Sequence, residues 1–275
     1  MQYLSVHITY EGDHAEILSA YLWHIGCESV WEKDDNTIVG YMTQNINEEL
    51  LKTEALTLFT FVSNIEIFKV DNINWNEEWE KNFNPITIFE RLHIRAPFHT
   101  KPSTNMMDIV IAPKMSFGTG HHETTSLMME QILRMNLANK KVLDAGTGTG
   151  ILGIVASKSG ATYVAAIDTD PQCIENATEN IKINQCENIH IQLGNVSEIA
   201  VNYTFDIILA NITKNILLQE ATYYKRYLAN DGTIVLSGFY TDDENEIINA
   251  YNNINLSVTQ KFSKNNWSCL VMSIR

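Results

Sequence analysis

The chain is 275 residues long and carries 33 acidic against 19 basic residues, a formal net charge of −14. That length supports one large domain and a small one, each with a core, and the acidic surplus argues against a nucleic-acid backbone as primary ligand while suiting a basic partner. Cys27, Cys173, Cys186 and Cys269 form no C-x-x-C pair, so the pattern indicates neither a zinc site nor a disulfide framework.

The chain opens without the basic-then-apolar order of a signal peptide. It has no apolar run approaching the roughly 18 residues of a membrane span, so a cytoplasmic protein with no membrane contact is expected. Leu4, Val6, Ile8 and Tyr10 alternate with polar residues and predict a strand. Asp13 is placed as the cap of a helix bearing Ile17, Leu18, Tyr21 and Leu22, which stops at Gly26. Short strands over 29–32 and 37–43, a helix over 47–61 and an alternating strand over 64–70 follow. This order, β-α-β-β-α-β, predicts a ferredoxin-like α+β domain over residues 1–72. His7, His14 and His24 are isolated in it, so it reads as a recognition module.

Residues 73–84 predict a linker helix with Trp75, Trp79 and Phe83 on one face. The second domain, 85–275, begins after Pro85. Strand-like runs at 86–89, 92–94 and 107–111 precede a glycine-containing loop, Phe117, Gly118 and Gly120, and a helix over 124–135 with Leu127, Met128, Ile132 and Leu133 inward.

Lys140 to Gly160, KKVLDAGTGTGILGIVASKSG, organises the rest. Val142 and Leu143 are strand residues ending at Asp144. Gly146, Gly148 and Gly150 allow positive φ and close approach of a ligand to bare backbone, and Ile151, Leu152, Ile154 and Val155 give the next segment a helical apolar face. Such a βα unit offers free N–H groups at its helix N-terminus. The glycines admit two registers: Gly148, Gly150 and Gly153 satisfy the G-x-G-x-x-G dinucleotide fingerprint, whereas from Asp144 the run is D-x-G-x-G-x-G. The second register accounts for the acid as well.

Beyond it, a strand over 162–167 ends at Asp168, placed where a nucleotide fold sets its ribose-binding acid, and Asp170-Pro171 starts a helix. Strands over 189–193 and 205–209 follow, the latter running into Asn211. A helix through Tyr227 and Leu228, a turn at Asp231-Gly232, a strand over 233–237, a helix over 242–252 and a terminal antiparallel pair at 257–262 and 267–274 complete seven strands.

Four stretches in order, FGTGHHETT, VLDAGTGTG, AAIDTDP and LANI, carry a resemblance to the PrmA family of ribosomal protein methyltransferases. It covers about the C-terminal two thirds of the chain; the N-terminal domain is matched by size and pattern. Family members often read His-Pro where this chain has His122-Glu123, which leaves Thr125 in register. The resemblance implies a seven-stranded class I S-adenosylmethionine (SAM) methyltransferase domain, Rossmann-like, behind the ferredoxin-like domain. The implied reaction is SAM-dependent N-methylation of the α-amine and lysine ε-amines of a basic large-subunit ribosomal protein, by a monomer that makes no direct contact with nucleic acid.

Carried over position by position, Phe117, Thr125, Gly146, Asp168 and Asn211 should line the SAM site. Gly148 and Gly150 belong to the same floor, and Asp144 can hydrogen-bond the turn or the ligand ammonium. Asp168 would accept both ribose hydroxyls. Asn211 would accept hydrogen bonds from the target amine and aim its lone pair at the methyl carbon, which makes it the catalytic candidate. Amine methyltransferases often show N-P-P-Y there; this chain keeps the asparagine and lacks the aromatic. Asn195, after the third strand, stands where such enzymes often place an acid for the adenine amino group. No residue is an evident base, and His121 and His122 lie in the loop near the cofactor. No metal is expected, because His121, His122 and Glu123 lack a second ligand cluster. Rival readings are a methyltransferase of another amine or amide, a SAM-binding protein without turnover, and a nicotinamide dehydrogenase in the other glycine register.

Overall fold

Alternation in the first segment builds β1 (Tyr3–Tyr10), whose Val6 and Ile8 are fully enclosed. It is followed by α1 (Ala15–His24), β2 (Ser29–Asp34), β3 (Thr37–Met42), α2 (Glu48–Leu58) and β4 (Val62–Val70). The sheet runs β2-β3-β1-β4 with every neighbour antiparallel, the ferredoxin-like arrangement that the element order predicts. Leu18 and Leu22 from α1 and Ala55 from α2 pack with Val6, Ile8, Ile38 and Met42 as its core.

The computed structural model describes residues 3–275 except positions 13, 28, 35, 43–47, 71–83, 104, 113–117 and 201–202. The cap assigned to Asp13, the linker helix with Trp75, Trp79 and Phe83, and the binding role assigned to Phe117 therefore lie outside the described residues. The chain divides into two compact units, Met1–Asn82 and Phe83–Arg275.

The second unit opens with a three-stranded sheet, β5 (Ile86–Ile88), β6 (Leu92–Arg95) and β7 (Met107–Val110). Then come α3 (Glu123–Arg134), β8 (Lys141–Ala145), α4 (Ile151–Lys158), β9 (Tyr163–Asp168), α5 (Pro171–Ile183), β10 (Ile189–Leu193), β11 (Phe205–Asn211), α6 (Lys214–Tyr227), β12 (Leu228–Tyr240), α7 (Glu244–Asn252), β13 (Leu256–Lys264) and β14 (Trp267–Ile274). The main sheet runs β10-β9-β8-β11-β12-β14-β13. Strand order reverses between β8 and β11, so the crevice of a doubly wound sheet opens at their C-terminal ends. Alternate residues feed two cores. Val142, Val164, Leu209 and Val235 meet α3 and α4, while Leu143, Ile208, Ile234 and Leu236 meet α6 and α7.

The terminal antiparallel pair is present, and its placement adds a detail; a second detail departs from the sequence reading. Of the last two strands only β14 runs against the sheet, since β13 is antiparallel to β14 and thereby parallel to the rest. Asp231-Gly232 lies inside β12: positions 228 and 233 face 205 and 207 of β11, so the strand bulges there rather than starting after a turn.

An asparagine row escaped notice in the sequence. Asn176, Asn180 and Asn184 recur every four residues down one buried face of α5. Asn184 accepts from the Val110 N–H at 2.9 Å and donates to its carbonyl, and Asn180 accepts from the Ala112 N–H at 2.8 Å while donating to the Thr149 carbonyl at 2.9 Å. These side chains complete backbone bonding along the edge of the small sheet. They also tie it to the glycine turn.

Gly238 at the end of β12 has φ of +95°, and a Cβ there would stand 2.3 Å from the Ile212 carbonyl oxygen. Because the obstacle is backbone, relief requires moving the loop after β11. Gly238→Ala should lower the unfolding free energy by about 3 kcal/mol, adding left-handed strain to the clash. Urea denaturation would check this, and a loss under about 1 kcal/mol would show that the loop yields freely.

Candidate active site

Asp144 ends β8 on the face that carries Val142, under α4. Its Oδ2 accepts from the Thr147 hydroxyl at 2.6 Å and from the Gly153 N–H at 2.9 Å, so one oxygen joins the strand end, the glycine turn and the first turn of the helix. Gly153 is required by this approach, since a Cβ there would lie 3.2 Å from the same oxygen. Oδ1 is buried without a hydrogen-bond partner among the described residues. Burial pushes the carboxyl up to about 6; hydrogen bonds from Thr147 and Gly153 act the other way, and the Asp168 charge adds a smaller upward push.

Gly146, Gly148 and Gly150 all have left-handed φ, +68°, +54° and +83°. The first two turn their bare backbone to a cavity of about 470 Å³ at the C-terminal ends of the strands. Gly150 faces away, against Ala177 of α5, where a Cβ would sit 3.2 Å from its neighbour's. The turn is fixed to the next strand, because the Gly146 and Thr147 N–H groups both donate to the Ile167 carbonyl, at 2.9 and 3.0 Å.

Asp168 closes β9 at the cavity. Its Oδ2 accepts from the Gly148 N–H at 2.9 Å and its Oδ1 from the Asp170 N–H at 3.0 Å, while its carbonyl accepts from Gly194. Each carboxylate oxygen keeps a further lone pair for a hydroxyl. Past it the wall continues through Thr169, Gly194, Asn195 and Val196, with Ile167 and Ile216 also lining the cavity.

Asn211, the last residue of β11, lines the opposite side. Its Nδ2 donates to the Thr125 hydroxyl at 3.3 Å, which orients the amide and leaves Oδ1 buried without a partner among the described residues. Thr125 itself is enclosed in α3 behind Asn211. His122 caps α3: its Nδ1 accepts from the Thr124 N–H at 3.3 Å, and its ring meets Trp267 edge to face at 4.7 Å. Trp267 stacks on Tyr240 at 4.1 Å, and His122 and Trp267 both line the cavity. His121 lies elsewhere, with Nε2 at 2.9 Å from the Asn84 carbonyl.

The structure thus gathers Gly146, Gly148, Asp168 and Asn211 on one cavity, with Asp144, Thr125 and Gly150 in the layer behind it. Sequence reasoning missed Ile212, Ile216, Glu220 and Gly238, which also line it. Apart from the Ser-Gly pair at the end of β12, no local signal marks them.

These donors suit SAM on chemical grounds. A glycine cradle that a Cβ at Gly146 would fill, 2.3 Å from Ile212 Cγ2, admits a methionine backbone. Paired carboxylate oxygens suit a ribose, and apolar walls suit an adenine. Asn211 adds to this wall a buried acceptor, Oδ1, that has no partner among the described residues.

The family model described as ribosomal protein L11 methyltransferase (PrmA) matches residues 28–275. A ribosomal protein L11 methyltransferase of Porphyromonas gingivalis is 42% identical over 263 residues, covering 93% of this chain and 89% of its own. Its counterpart in Phocaeicola vulgatus is 39% identical over 259 residues, at 93% and 92% coverage. Among solved structures, the ribosomal protein L11 methylase of Lactobacillus delbrueckii subsp. bulgaricus superposes with a TM-score of 0.66 at 29% identity. It covers 70% of this chain and all of that one.

A carboxyl that titrates higher folded than unfolded binds its proton more tightly in the native state, so ionising Asp144 costs stability. The cost is absent below about pH 4, grows as pH rises through about 6 and is complete above, on the order of 3 kcal/mol. Asp144→Asn should lack this decline. Urea unfolding free energies of the ligand-free proteins should diverge in the variant's favour between about pH 4 and about pH 7.5, and parallel curves would show that Asp144 ionises without cost.

Proposed function

The chain belongs to the ribosomal protein L11 methyltransferase (PrmA) family, and on that premise we propose that it transfers methyl groups from SAM to the α-amine and lysine ε-amines of ribosomal protein L11. The observation that carries the amine reading is the Asn211 amide at the cavity wall, its Nδ2 held by Thr125 and its Oδ1 buried without a hydrogen-bond partner among the described residues. The net charge of −14 suits a basic protein substrate. The ferredoxin-like unit, which carries no candidate catalytic residue, is assigned to holding that substrate.

When bound, SAM supplies an electrophilic methyl group on a sulfonium. Gly146 and Gly148 admit its amino-acid end to the backbone of the turn, and Asp168 holds its ribose hydroxyls. Asn211 Oδ1 accepts an N–H of the incoming amine, which fixes the direction of the nitrogen lone pair and turns encounter into alignment. A protonated amine has no lone pair to aim. Lysine ordinarily titrates near 10.4 and an α-amine near 8, so a proton must leave before transfer. Apolar walls at Ile212, Ile216 and Trp267 desolvate the ammonium and favour that loss. His122 and Trp267 flank the amine and supply the aromatic surface that the loop after β11 lacks.

Large ribosomal subunits prepared without the enzyme and incubated with methyl-labelled SAM should acquire label in L11, in 14 Da steps by intact mass. Label confined to ribosomal RNA, or to no component, would overturn the assignment. Asn211→Ala should lower kcat about 100-fold while the Kd for S-adenosylhomocysteine stays within about 3-fold. Asp168→Ala should do the reverse, raising that Kd by on the order of 10–100-fold through loss of charge-assisted hydrogen bonds. Calorimetry with steady-state kinetics separates the two, and equal losses in both readouts for both variants would refute the division of labour.

A further inference from the structure

A buried carboxylate on an otherwise apolar helix face needs a reason. Glu220, one and a half turns into α6, is only 6% exposed, among Leu217, Ala221 and Tyr224. The Tyr224 hydroxyl, four residues on, donates to its Oε2 at 2.5 Å. The second oxygen, Oε1, has no hydrogen bond among the described residues. Burial raises this carboxyl above the usual carboxylate range, partly offset by Tyr224, so its ionised form lacks a partner that the protein itself does not supply. Glu220 also lines the cavity.

Its position in that cavity selects the partner. The ribose end is fixed by Asp168, and the wall beyond it is Gly194, Asn195 and Val196, leaving the base to reach that far. Asn195 is taken up by the turn Val196–Glu198 that it caps, its Oδ1 accepting from both the Ser197 N–H at 3.2 Å and the Ser197 hydroxyl at 3.4 Å while its own N–H donates to Glu198. Helix α6 packs on that same turn, and the Tyr227 hydroxyl donates to the Ile199 carbonyl at 2.7 Å. Glu220 and Tyr227 therefore share the side of α6 that faces the base end. Asp168 and Glu220 are the acidic side chains among the cavity's described lining residues, and Asp168 is taken by the ribose.

We propose that Glu220 accepts a hydrogen bond from the exocyclic amino group of the cofactor's adenine, a role Asn195 has given up to turn capping. Tyr224 acts through Glu220 as a positioning residue, holding Oε2 so that Oε1 points into the cavity. The proposal rests on SAM as cofactor and is independent of which amine is methylated.

The test compares S-adenosylhomocysteine with S-inosylhomocysteine, which carries a carbonyl oxygen in place of the amino group, by calorimetry on the full chain. Wild type should prefer the adenosyl ligand by at least about 30-fold, and Tyr224→Phe alone should keep most of that preference. Glu220→Met with Tyr224→Phe, which removes the acceptor and the hydroxyl it would orphan, should reduce the preference to under about 3-fold while leaving inosyl affinity nearly unchanged. If that pair does not fold, as judged by circular dichroism, Glu220→Gln keeps the shape and lacks the charge, and should lower the preference by about 3–10-fold. An unchanged preference, or equal loss of both ligands, would overturn the role of Glu220. Wild type that binds neither ligand would overturn the cofactor assignment itself.

Discussion

The handover from β8 to α4 is the constraint on which the active site depends. A strand that must become a helix within five residues, under a ligand, can do so only if the backbone turns left-handed and the helix begins without a side chain in the way. Asp144 supplies the fixed point. Placing a carboxylate under α4 exposes it to a low dielectric, and the hydrogen bonds from Thr147 and Gly153 offset only part of that cost. In return, strand end, turn and helix are tied to one oxygen, while the N–H groups of Gly146, Thr147, Gly148 and Gly150 bond to Ile167, Asp168 and Thr147 and the bare faces of Gly146 and Gly148 line the cavity. Gly153 belongs to this joint, which is why both glycine registers of the sequence are satisfied by one backbone.

The opposite wall is built on a second close approach. Gly238 lets β12 pass against the Ile212 backbone, and this sets the depth of Asn211 relative to the glycine turn. Thr125, from a helix 86 positions earlier in the chain, then decides which end of the amide faces inward. Asn211 is thus held from α3 and β12, each of which also lends a residue, Thr124 and Gly238, to the cavity wall. The family membership accounts for the reaction class; these contacts account for how Asn211 is held at the cavity.

Much of the architecture was legible in the sequence because it is written in local pattern. Alternation gave β1, the glycine run gave the βα joint, and Asp170-Pro171 marked the start of α5. The spacing from the glycines singled out Asp168 and the family resemblance singled out Asn211, and the two do share the cavity. What stayed hidden depends on distance. Thr125 and Asp144 carry the right side chains for a ligand, yet they are enclosed behind the cavity and bond to Asn211, Thr147 and Gly153, and no local signal separates a residue that lines a cavity from one that braces its neighbour. The asparagine row of α5 looks like an ordinary polar helix face until the edge of the small sheet is laid beside it. The bulge at Asp231-Gly232 mimics a turn because the same residue types serve both. Glu220 reads as a solvated helix position, and only the tertiary structure shows it enclosed.

Strand β14 lies between β12 and β13 in the sheet, although it is made after both. Trp267, which it carries, is part of the cavity wall, and Asn265 just before it donates to Glu123 at the start of α3. During synthesis, β12 therefore waits with an unpaired edge until the final strand emerges, and β13 has no place of its own beside it. A nascent chain carries its glycine turn and Asp168 early, but the Trp267 part of the wall is added only once β14 has entered the gap between β12 and β13.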